Sequence, residues 1–532
     1  MLGVILVILI VPLAVAVVSF LVPARLAAVI TIASGVACFG LVLALIPDAT
    51  RGAATYLSYL RADALSCVFL LATAFLYAAV GVYAAGYLKG RTDRYARRFY
   101  LGFNVFAWAM LAAPLMSSLA LLWIAIEVTT VVSALLVAIA DTDGAAEASW
   151  KYVLIASAGL GLALLATIFA YYAGAQVLGA HSNLAIQPLI SVGSRLPKTP
   201  VRLAFLLAVL GYGTKVGLVP VHTWLPDAHS EAPTPVSALL SGALLATSFY
   251  AILRFYQVAA ATLGSGFPRG TLLVFGIASL LLASLYVFGQ RDVKRLLAYS
   301  SVEHMGILSV GVAFGAPVAL AGVLLHVVAH AAAKGNAFMG AGVFTVKYGT
   351  KQMPAMRDGL RLLPWSGPLF LLAVFALSAL PPSGIFRSEF EIVAGGLGSG
   401  DYAAAAVLVV LVTIAFFGLA TSTTSVLLAP VPAAKAPAET GTAEQIPVEI
   451  AAIGTGAAGG AHRNGGAPAA RGTVAMEARA RASGVLAPGE PSAWMVVPVL
   501  AGLAVLVLLG VHPPGELTNL ITQAAAQLRG AP

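Results

Sequence analysis

The residues of this 532-residue chain best placed to do chemistry are ionisable side chains inside long apolar segments. Lys215 lies in one such segment, between Gly211 and Pro220, and a dense polar loop follows it. Glu127 lies midway along another, so its carboxylate is the natural partner for the Lys215 ammonium. A charge at the centre of a membrane helix costs roughly 2.5–3.5 kcal/mol, so it needs a partner, water or a function. A pair that forms and breaks could move a proton, whereas a fixed pair would only hold two helices together.

A second group of ionisable residues lies along one predicted helix. His326, His330 and Lys334 are spaced by four residues, which places them on one helical face. Histidine titrates near neutral pH, so this face suits a proton relay. Glu303 and His304, early in the preceding apolar segment, either sit shallow or face that relay. Two histidines at this spacing could also bind a metal, but no acidic partner of the HExxH kind accompanies them.

Glycine and proline interrupt two of the apolar segments at corresponding places. The first break lies in residues 211–220 and the second in residues 379–384. Unwound backbone is tolerated in a membrane where it lines a polar cavity, and paired breaks predict inverted repeats with a site near the midplane. Glu389 follows the second break as Lys215 precedes the first; the alternative is that Glu389 lies near a helix end and is solvated.

Four further ionisable residues receive a structural interpretation. Arg254 lies near a predicted helix end, where its long side chain is expected to reach toward the interface. Asp227, His229 and Glu231 lie in the polar loop after the first break and are expected to be solvated.

Composition indicates that the apolar segments are membrane spans. The chain is 60% hydrophobic and 10% charged, its mean hydropathy is +0.95, and its apolar runs have the length that crosses a bilayer as a helix. They lack the alternation of barrel strands. The predicted fold is an all-α polytopic membrane protein with about 14 transmembrane helices and two inverted repeats containing broken helices. The predicted spans are residues 2–20, 24–46, 63–87, 99–116, 118–140, 150–173, 201–220, 234–257, 270–289, 295–315, 317–345, 365–393, 402–430 and 493–512.

The distribution of charge predicts the orientation. The net charge is +9, and lysine and arginine concentrate in alternate loops, which the positive-inside rule assigns to the cytoplasm. Both termini are then expected outside a bacterial cell membrane, and the loop 222–233 on the cytoplasmic side. No soluble segment carries a basic face, so a nucleic-acid partner is not expected.

The sequence offers no candidate site for redox chemistry. Cys38 and Cys67 each lie inside an apolar run, and two isolated thiols cannot hold a four-ligand iron–sulfur cluster. No glycine-rich nucleotide-binding motif follows a strand pattern. We therefore expect no cofactor and no metal here, and we expect any redox catalysis to be carried by partner chains.

Composition also predicts the domain organisation. Residues 1–98 are N-terminal transmembrane helices, and residues 99–430 are the core that would conduct protons. Residues 431–492 are rich in Ala, Gly, Pro and Thr with balanced charge, which predicts a disordered cytoplasmic loop. Residues 493–532 are the last transmembrane helix and a tail, in which Leu517 to Leu528 could form a short amphipathic helix.

One polar stretch carries the resemblance of this chain to a known family. It reads His222-Thr-Trp-Leu-Pro-Asp-Ala-His-Ser-Glu-Ala-Pro-Thr-Pro235. Supporting stretches are Trp123-Ile-Ala-Ile-Glu-Val-Thr-Thr130 and Leu380-Pro-Pro-Ser-Gly-Ile-Phe-Arg-Ser-Glu-Phe390. With these motifs the chain resembles the antiporter-like, proton-translocating subunits of complex I and of membrane-bound hydrogenases, most of all component F of hydrogenase-4-type complexes.

This resemblance implies a proton path. Glu127 and Lys215 would take up the proton, the helix carrying the two histidines and Lys334 would form a central relay, and Glu389 would release it. The expected path residues are Glu127, Lys215, Glu303, His304, His326, His330, Lys334 and Glu389. One departure is Ala246, which stands where complex I members carry a lysine, so the central relay lacks one amine.

The resemblance also implies a function and partners. The chain would be a non-redox, proton-translocating subunit of a hydrogenase-4-like or NADH-quinone oxidoreductase (complex I)-like assembly, coupled to electron transfer on other chains. Expected partners are other membrane subunits, including related antiporter-like chains, peripheral redox subunits and the lipid bilayer. Two alternatives stay open: a subunit of a multi-chain cation/proton antiporter, and a membrane scaffold that conducts no protons.

Overall fold

Long helices make up most of the computed structural model, which describes residues 1–52, 54–56, 59–179, 182–429 and 486–530. Up to the first break they are α1 (Leu2–Leu21), α2 (Ala24–Arg51), α3 (Ala64–Tyr87), α4 (Asp93–Ala112), α5 (Leu119–Ala138), α6 (Asp143–Leu178), α7 (Ile186–Ser191) and α8 (Lys198–Val216). Between the breaks they are α9 (Leu225–Glu231), α10 (Thr234–Leu239), α11 (Leu245–Leu263), α12 (Gly266–Tyr286), α13 (Val293–Phe314), α14 (Pro317–Tyr348), α15 (Gly359–Leu362) and α16 (Ser366–Leu377). The remaining helices are α17 (Gly384–Gly398), α18 (Tyr402–Leu428), α19 (Ala493–Val511) and α20 (Gly515–Leu528).

Short elements complete the chain. A π-helical turn, Leu240–Leu244, joins α10 to α11 without interruption. Three-residue 3-10 turns occur at Ala113–Leu115, Gly193–Arg195 and Met353–Ala355. Strand β1 (Ala54–Tyr56) pairs antiparallel with β2 (Leu60–Ala62) in a two-stranded ribbon before α3.

Among the described residues, 11 helices are long and apolar enough to cross a membrane. They are α1, α2, α3, α5, α6, the continuous α10–α11, α12, α13, α14, α18 and α19. The other three predicted spans coincide with α4, with α8, and with the pair α16 and α17, which a break divides. The all-α fold is therefore confirmed, and α20 forms the predicted C-terminal helix.

The interior of the helical bundle is built from four of these spans. The apolar stretches of α10–α11 and α13 are 100% buried, that of α14 is 89% buried and that of α3 is 83% buried. By contrast, α1, α12, α18 and α19 bury only 28–33% of theirs. Helix α14 packs against α3, α13, α16, α17 and α19. The predicted histidine-bearing helix thus lies at the centre of the bundle.

Both predicted breaks are present. Helix α8 ends where Gly217 adopts a left-handed conformation with φ +85°, which favours glycine. Beyond it, the indole N–H of Trp224 donates to the carbonyl oxygen of Thr214 at 2.6 Å, so a carbonyl freed by the break is satisfied. At the second break, Ser383 begins α17 because its hydroxyl accepts from the backbone N–H of Phe386 at 3.2 Å.

Arg254 does not reach toward the interface, contrary to the sequence-based expectation. It is 2% exposed, and its Nη2 lies 2.7 and 2.8 Å from the two carboxylate oxygens of Asp63. Asp63 also begins α3, since its carboxylate accepts from the backbone N–H of Ser66 at 2.8 Å. The expectation was wrong because the sequence did not show that a carboxylate at the start of α3 would meet α11. A buried ion pair therefore joins two of the interior helices.

The predicted loop 431–492 falls mostly outside the described residues, but both of its flanks are described. The backbone N–H of Asp358 donates to the carbonyl oxygen of Ala429 at 3.0 Å. After the gap, the N–H of Gly489 donates to the carbonyl oxygen of Leu362, also at 3.0 Å. The Glu490 carboxylate then accepts from the first backbone N–H groups of α16. The last residues assigned to the loop therefore pack against helices.

Candidate functional site

The close crossing of α6 and α8 places Lys215 against α6. A Cβ atom on Gly211 would lie 2.5 Å from the backbone nitrogen of Ala163, and one on Gly159 would lie 2.4 Å from the hydroxyl of Thr214. Only glycine allows the two helix backbones to approach this closely. Lys215, one residue after Thr214, is therefore held against the helix that carries Tyr152.

The partner of Lys215 is a tyrosine that the sequence analysis did not identify. The ammonium Nζ donates to the Tyr152 hydroxyl at 2.5 Å, and both residues are fully buried. The same hydroxyl lies 2.8 Å from Oγ of Ser133 on α5. Trp224, from the segment after the break, packs on the Tyr152 ring with the ring centroids 4.4 Å apart. We call Ser133, Tyr152 and Lys215 the lysine cluster.

Glu127 does not contact Lys215 directly, which corrects the expected ion pair. The two charges are near enough to interact electrostatically. However, Oε2 of Glu127 is buried without a hydrogen-bond partner in the described part of the chain. The Lys215 ammonium is instead turned toward Tyr152. The structure thus places Glu127 beside the lysine cluster but outside its hydrogen bonds.

Three histidines meet between α13 and α14. Nδ1 of His304 and Nε2 of His326 share a hydrogen bond of 3.0 Å. The ring of His330 is centred 5.1 Å from that of His304 and 6.1 Å from that of His326. All three are buried, and both ring nitrogens of His330 lack a partner among the described residues. We call these residues the histidine cluster; His304 faces the relay helix, as one of the two sequence-based alternatives proposed.

The histidine cluster extends to α17 through two neighbouring residues. The Ser388 hydroxyl lies 2.9 Å from Nδ1 of His326. The Glu389 carboxylate Oε1 lies 3.9 Å from Nδ1 of His304. Residue Glu389 is 9% exposed, so it is buried rather than solvated. Donor atoms of His304, His326 and Glu389 all lie within 4.8 Å of one another, the only such group of metal-ligand type found in the described ranges.

Lys334 and Glu303 are two further ionisable residues of the helices α14 and α13 that carry the histidine cluster. The Lys334 ammonium donates to the Leu297 carbonyl oxygen at 3.0 Å and to Oγ of Ser300 at 2.5 Å, both on α13. Glu303 is 4% exposed and interacts electrostatically with both Lys334 and Glu389. The structure therefore brings together six of the eight predicted path residues around α13, α14 and α17.

His229 is buried, contrary to the expectation that it would be solvated. It lies in α9, is 0% exposed and stacks on Phe338 of α14, with the ring centroids 5.2 Å apart. Neither ring nitrogen has a partner within the described segments. The charges of Lys294 and Lys334 both act on it. The expectation was wrong because residues 225–231 form a helix that packs against α6 and α13 instead of an open loop.

The neighbours of His229 in the polar stretch form ion pairs near the surface. Asp227 pairs with Arg295 at 3.0 Å, and Glu231 pairs with Lys351 at 2.5 Å. Each of these four side chains is 29–41% exposed, so these two acidic residues are partly solvated as expected.

Chemically, the arrangement can pass protons over short steps. Each buried group is a titratable or hydroxyl-bearing side chain, and several of their heavy atoms lie 2.5–3.9 Å apart. The separations of 2.5–3.0 Å are those of hydrogen bonds that can transfer a proton, whereas Glu389, at 3.9 Å from His304, must move closer or use a bridging water. Among the described residues, however, no hydrogen bond joins the lysine cluster to the histidine cluster.

Comparisons with known proteins agree with this architecture. The hydrogenase-4 component F homolog of Methylacidiphilum infernorum (isolate V4) is 35% identical over 363 residues, which is 67% of this chain and 76% of that protein. NADH-quinone oxidoreductase subunit N of Desulforudis audaxviator (strain MP104C) is 32% identical over 360 residues, which is 67% of this chain and 70% of that protein. A chain of the Mrp complex from Dietzia sp. DQ12-45-1b shares the fold, with a TM-score of 0.81 over 99% of this chain and 98% of that chain at 22% identity.

The family assignment follows from the matched residues. The sequence model described as "NADH:quinone oxidoreductase/Mrp antiporter, TM" matches residues 116–416, which is more than half of the chain and includes all eight predicted path residues. This multi-pass membrane protein therefore belongs to the NADH:quinone oxidoreductase/Mrp antiporter family.

Proposed function

We propose that this chain translocates protons as a non-redox subunit of a hydrogenase-4-like or complex I-like membrane assembly. The observation that carries the proposal is the buried histidine cluster, which meets Glu389 on one side and lies near Lys334 and Glu303 on the other. Ionisable side chains are costly inside a membrane protein, and they mark proton and ion pathways there. The similarity to a hydrogenase-4 component F homolog and to a complex I subunit N supports this assignment.

In this proposal the lysine cluster holds the proton before it enters the core. Glu127 accepts the proton midway along α5, where the residue is only half-buried. The Tyr152 hydroxyl, between Ser133 and Lys215, then offers a path of hydrogen bonds to the ammonium. The charge state of Lys215 depends on Glu127, because each group stabilises the charge of the other.

The step between the two clusters uses His229 and bound water. The charges of Lys294 and Lys334 act on His229, and neither of its ring nitrogens has a hydrogen-bond partner among the described residues. Water can bridge polar groups when each molecule finds two or more partners, and the lysines and carboxylates of the core provide them. Glu389 would release the proton, since its side chain is 12% exposed whereas that of His304 is 2% exposed.

The setting of the chain is part of the same proposal. The membrane is that of a bacterial cell, both termini face outward, and the polar stretch with α9 faces the cytoplasm. The partners are related antiporter-like chains and peripheral redox subunits. The multi-subunit Mrp complex that contains the similar chain supports partner subunits in the membrane.

Proton pumping by the purified complex in proteoliposomes tests the proposal. Lys215→Ala should abolish acidification of the lumen, read with a pH-sensitive dye, while subunit composition stays normal. Lys151→Ala is the matched control, because Lys151 is a surface residue of α6 paired with Glu147. Pumping by Lys215→Ala at the wild-type rate would contradict the proposed path. If Glu127→Ala also pumped at the wild-type rate, the scaffold alternative would be favoured.

A second candidate function is cation/proton exchange without redox partners. The shared fold with a chain of the Mrp complex favours it. Everted vesicles that contain the complex distinguish the two functions. Exchange predicts that added Na⁺ or K⁺ moves protons without any redox substrate, whereas redox-driven pumping requires electron donor and acceptor.

A further inference from the structure

The geometry points to a transition-metal site formed by His304, His326 and Glu389, and we propose that Zn²⁺ bound there blocks the proton path. The two nitrogen donors are 3.0 Å apart, Oε1 of Glu389 lies 3.9 Å from Nδ1 of His304, and all three donors lie within 4.8 Å. Around a tetrahedral zinc ion, with metal–ligand bonds of about 2.0–2.2 Å, ligand atoms stand roughly 3.3–3.5 Å apart. The donor separations bracket that value, so small side-chain movements suffice.

The donor set matches the chemistry of zinc. Two imidazoles and one carboxylate are a common three-ligand set for this ion, which leaves a fourth position for water. They come from three different helices, α13, α14 and α17, which pack against one another. The site is therefore a product of the tertiary fold, and no sequence motif such as HExxH is needed to form it.

Ser388 provides the supporting contact that metal-binding histidines usually have. Nε2 of His326 faces the other donors, while its Nδ1 lies 2.9 Å from the Ser388 hydroxyl. A hydrogen bond on the second ring nitrogen fixes the tautomer and the ring orientation of a ligating histidine. Because the Ser388 hydroxyl donates to the carbonyl oxygen of Ile385, it accepts from Nδ1 of His326, and the lone pair of Nε2 is directed toward His304, where a metal ion would replace the hydrogen bond between the two rings.

Charge and access also favour a divalent cation. Two carboxylates lie in this part of the core, since Glu303 interacts electrostatically with both Lys334 and Glu389. All three donors are buried, but the Glu389 side chain is 12% exposed whereas that of His304 is 2% exposed, so Glu389 is the less enclosed of the two. An ion would therefore arrive at Glu389 first and then bind the histidines.

A bound ion would occupy the lone pairs that pass protons. Nδ1 of His304 and Nε2 of His326 cannot accept a proton while they bind metal, and Glu389 is held to the ion instead of releasing protons. This blocking effect rests on the proposed function, whereas the metal site itself does not. Metal binding and proton pumping are therefore measured separately.

Metal binding is measured on the purified complex carrying an affinity tag without histidine. Wild type and variants are equilibrated with Zn²⁺, passed over a chelating resin and analysed for zinc by elemental mass spectrometry. Co²⁺ loading gives an absorption band, and its difference spectrum between wild type and variant isolates this site from any metal on other subunits. We expect His326→Ala and Glu389→Gln each to lose one metal equivalent per complex.

Two further variants test whether a loss of metal is specific to this site. Ser388→Ala keeps all three donors, and it should weaken binding roughly 10- to 100-fold, as loss of such a supporting contact usually does. His512→Ala removes an exposed histidine after α19 and should change nothing. Equal metal content in wild type, His326→Ala and Ser388→Ala would overturn the site.

Pumping by the wild-type complex supplies the second readout. Micromolar Zn²⁺ should stop lumen acidification, and a chelator should restore it. If the variants lose the metal but Zn²⁺ leaves wild-type pumping intact, the metal site stands and proton transfer through these three residues is refuted.

Discussion

Replacing Tyr152 by phenylalanine removes one hydroxyl from the lysine cluster and little else. The ring contact with Trp224 is kept, because only the oxygen is lost. That oxygen accepts from the Lys215 ammonium at 2.5 Å and contacts Ser133 at 2.8 Å. A hydrogen bond to a charged group contributes about 1.5–3 kcal/mol. If that loss falls on the proton-transfer step, pumping slows roughly 10- to 150-fold.

The assay compares pumping with electron transfer in the same proteoliposomes. Tyr83→Phe is the matched control: Tyr83 is also fully buried, and its hydroxyl has no hydrogen-bond partner among the described residues. We expect electron transfer measured with an uncoupler to stay near normal in both variants, and pumping to fall only in Tyr152→Phe. If the two variants pump equally well, the Tyr152 hydroxyl does not lie on the path.

Three further changes test other parts of the structure. His330→Ala should stop pumping in proteoliposomes while assembly, judged by gel filtration, is normal, because its ring is centred 5.1 Å from that of His304 and its nitrogens have no other partner among the described residues; unchanged pumping would place the path elsewhere. Deleting residues 436–484 should leave membrane insertion and pumping close to normal, since the contacts of both flanks are kept; a complex that fails to assemble on native gels would disprove this. Asp63→Asn should destabilise the chain by about 3–5 kcal/mol, because it leaves Arg254 buried without its counter-charge. A thermal-shift measurement of the purified complex checks this, with Asp48→Asn, from an exposed pair, as control.

The same ion pair gives stability a defined dependence on pH. Burial alone would raise the pKa of Asp63, but the charges of Arg254 and Arg61 outweigh it and hold the pKa below its usual range. A carboxyl group with a lowered pKa in the folded state contributes stability above its unfolded pKa of about 3.9 and loses it as the pH falls further. We therefore expect this contribution to be complete at neutral pH and to decline only in strong acid.

The spans and the breaks could be predicted from the sequence because both have local causes. Apolar length alone identifies a membrane helix, and Gly217 and Pro220 mark the end of α8 without reference to any neighbour. The common face of His326, His330 and Lys334 likewise follows from helical periodicity. For these features the sequence predicts the structure well.

The partners of the buried charges could not be predicted, because they depend on helix contacts distant in the chain. The glycines of α6 and α8 bring Tyr152 to Lys215, and α17 brings Ser388 to His326. No periodicity within one helix indicates which residue of another helix it will meet. The burial of His229 was missed for the same reason: its surroundings are supplied by α14.

The contacts on either side of residues 430–485 have a practical consequence for engineering. Backbone hydrogen bonds join Asp358 to Ala429 and Leu362 to Gly489. The two points at which these flanks are attached therefore lie at opposite ends of the four-residue helix α15. Connecting two points so close together demands no particular chain length, and each doubling of a flexible connection costs only about 0.6 kcal/mol. A fluorescent reporter or an affinity module could therefore be spliced into this position while the helices around α15 keep their packing.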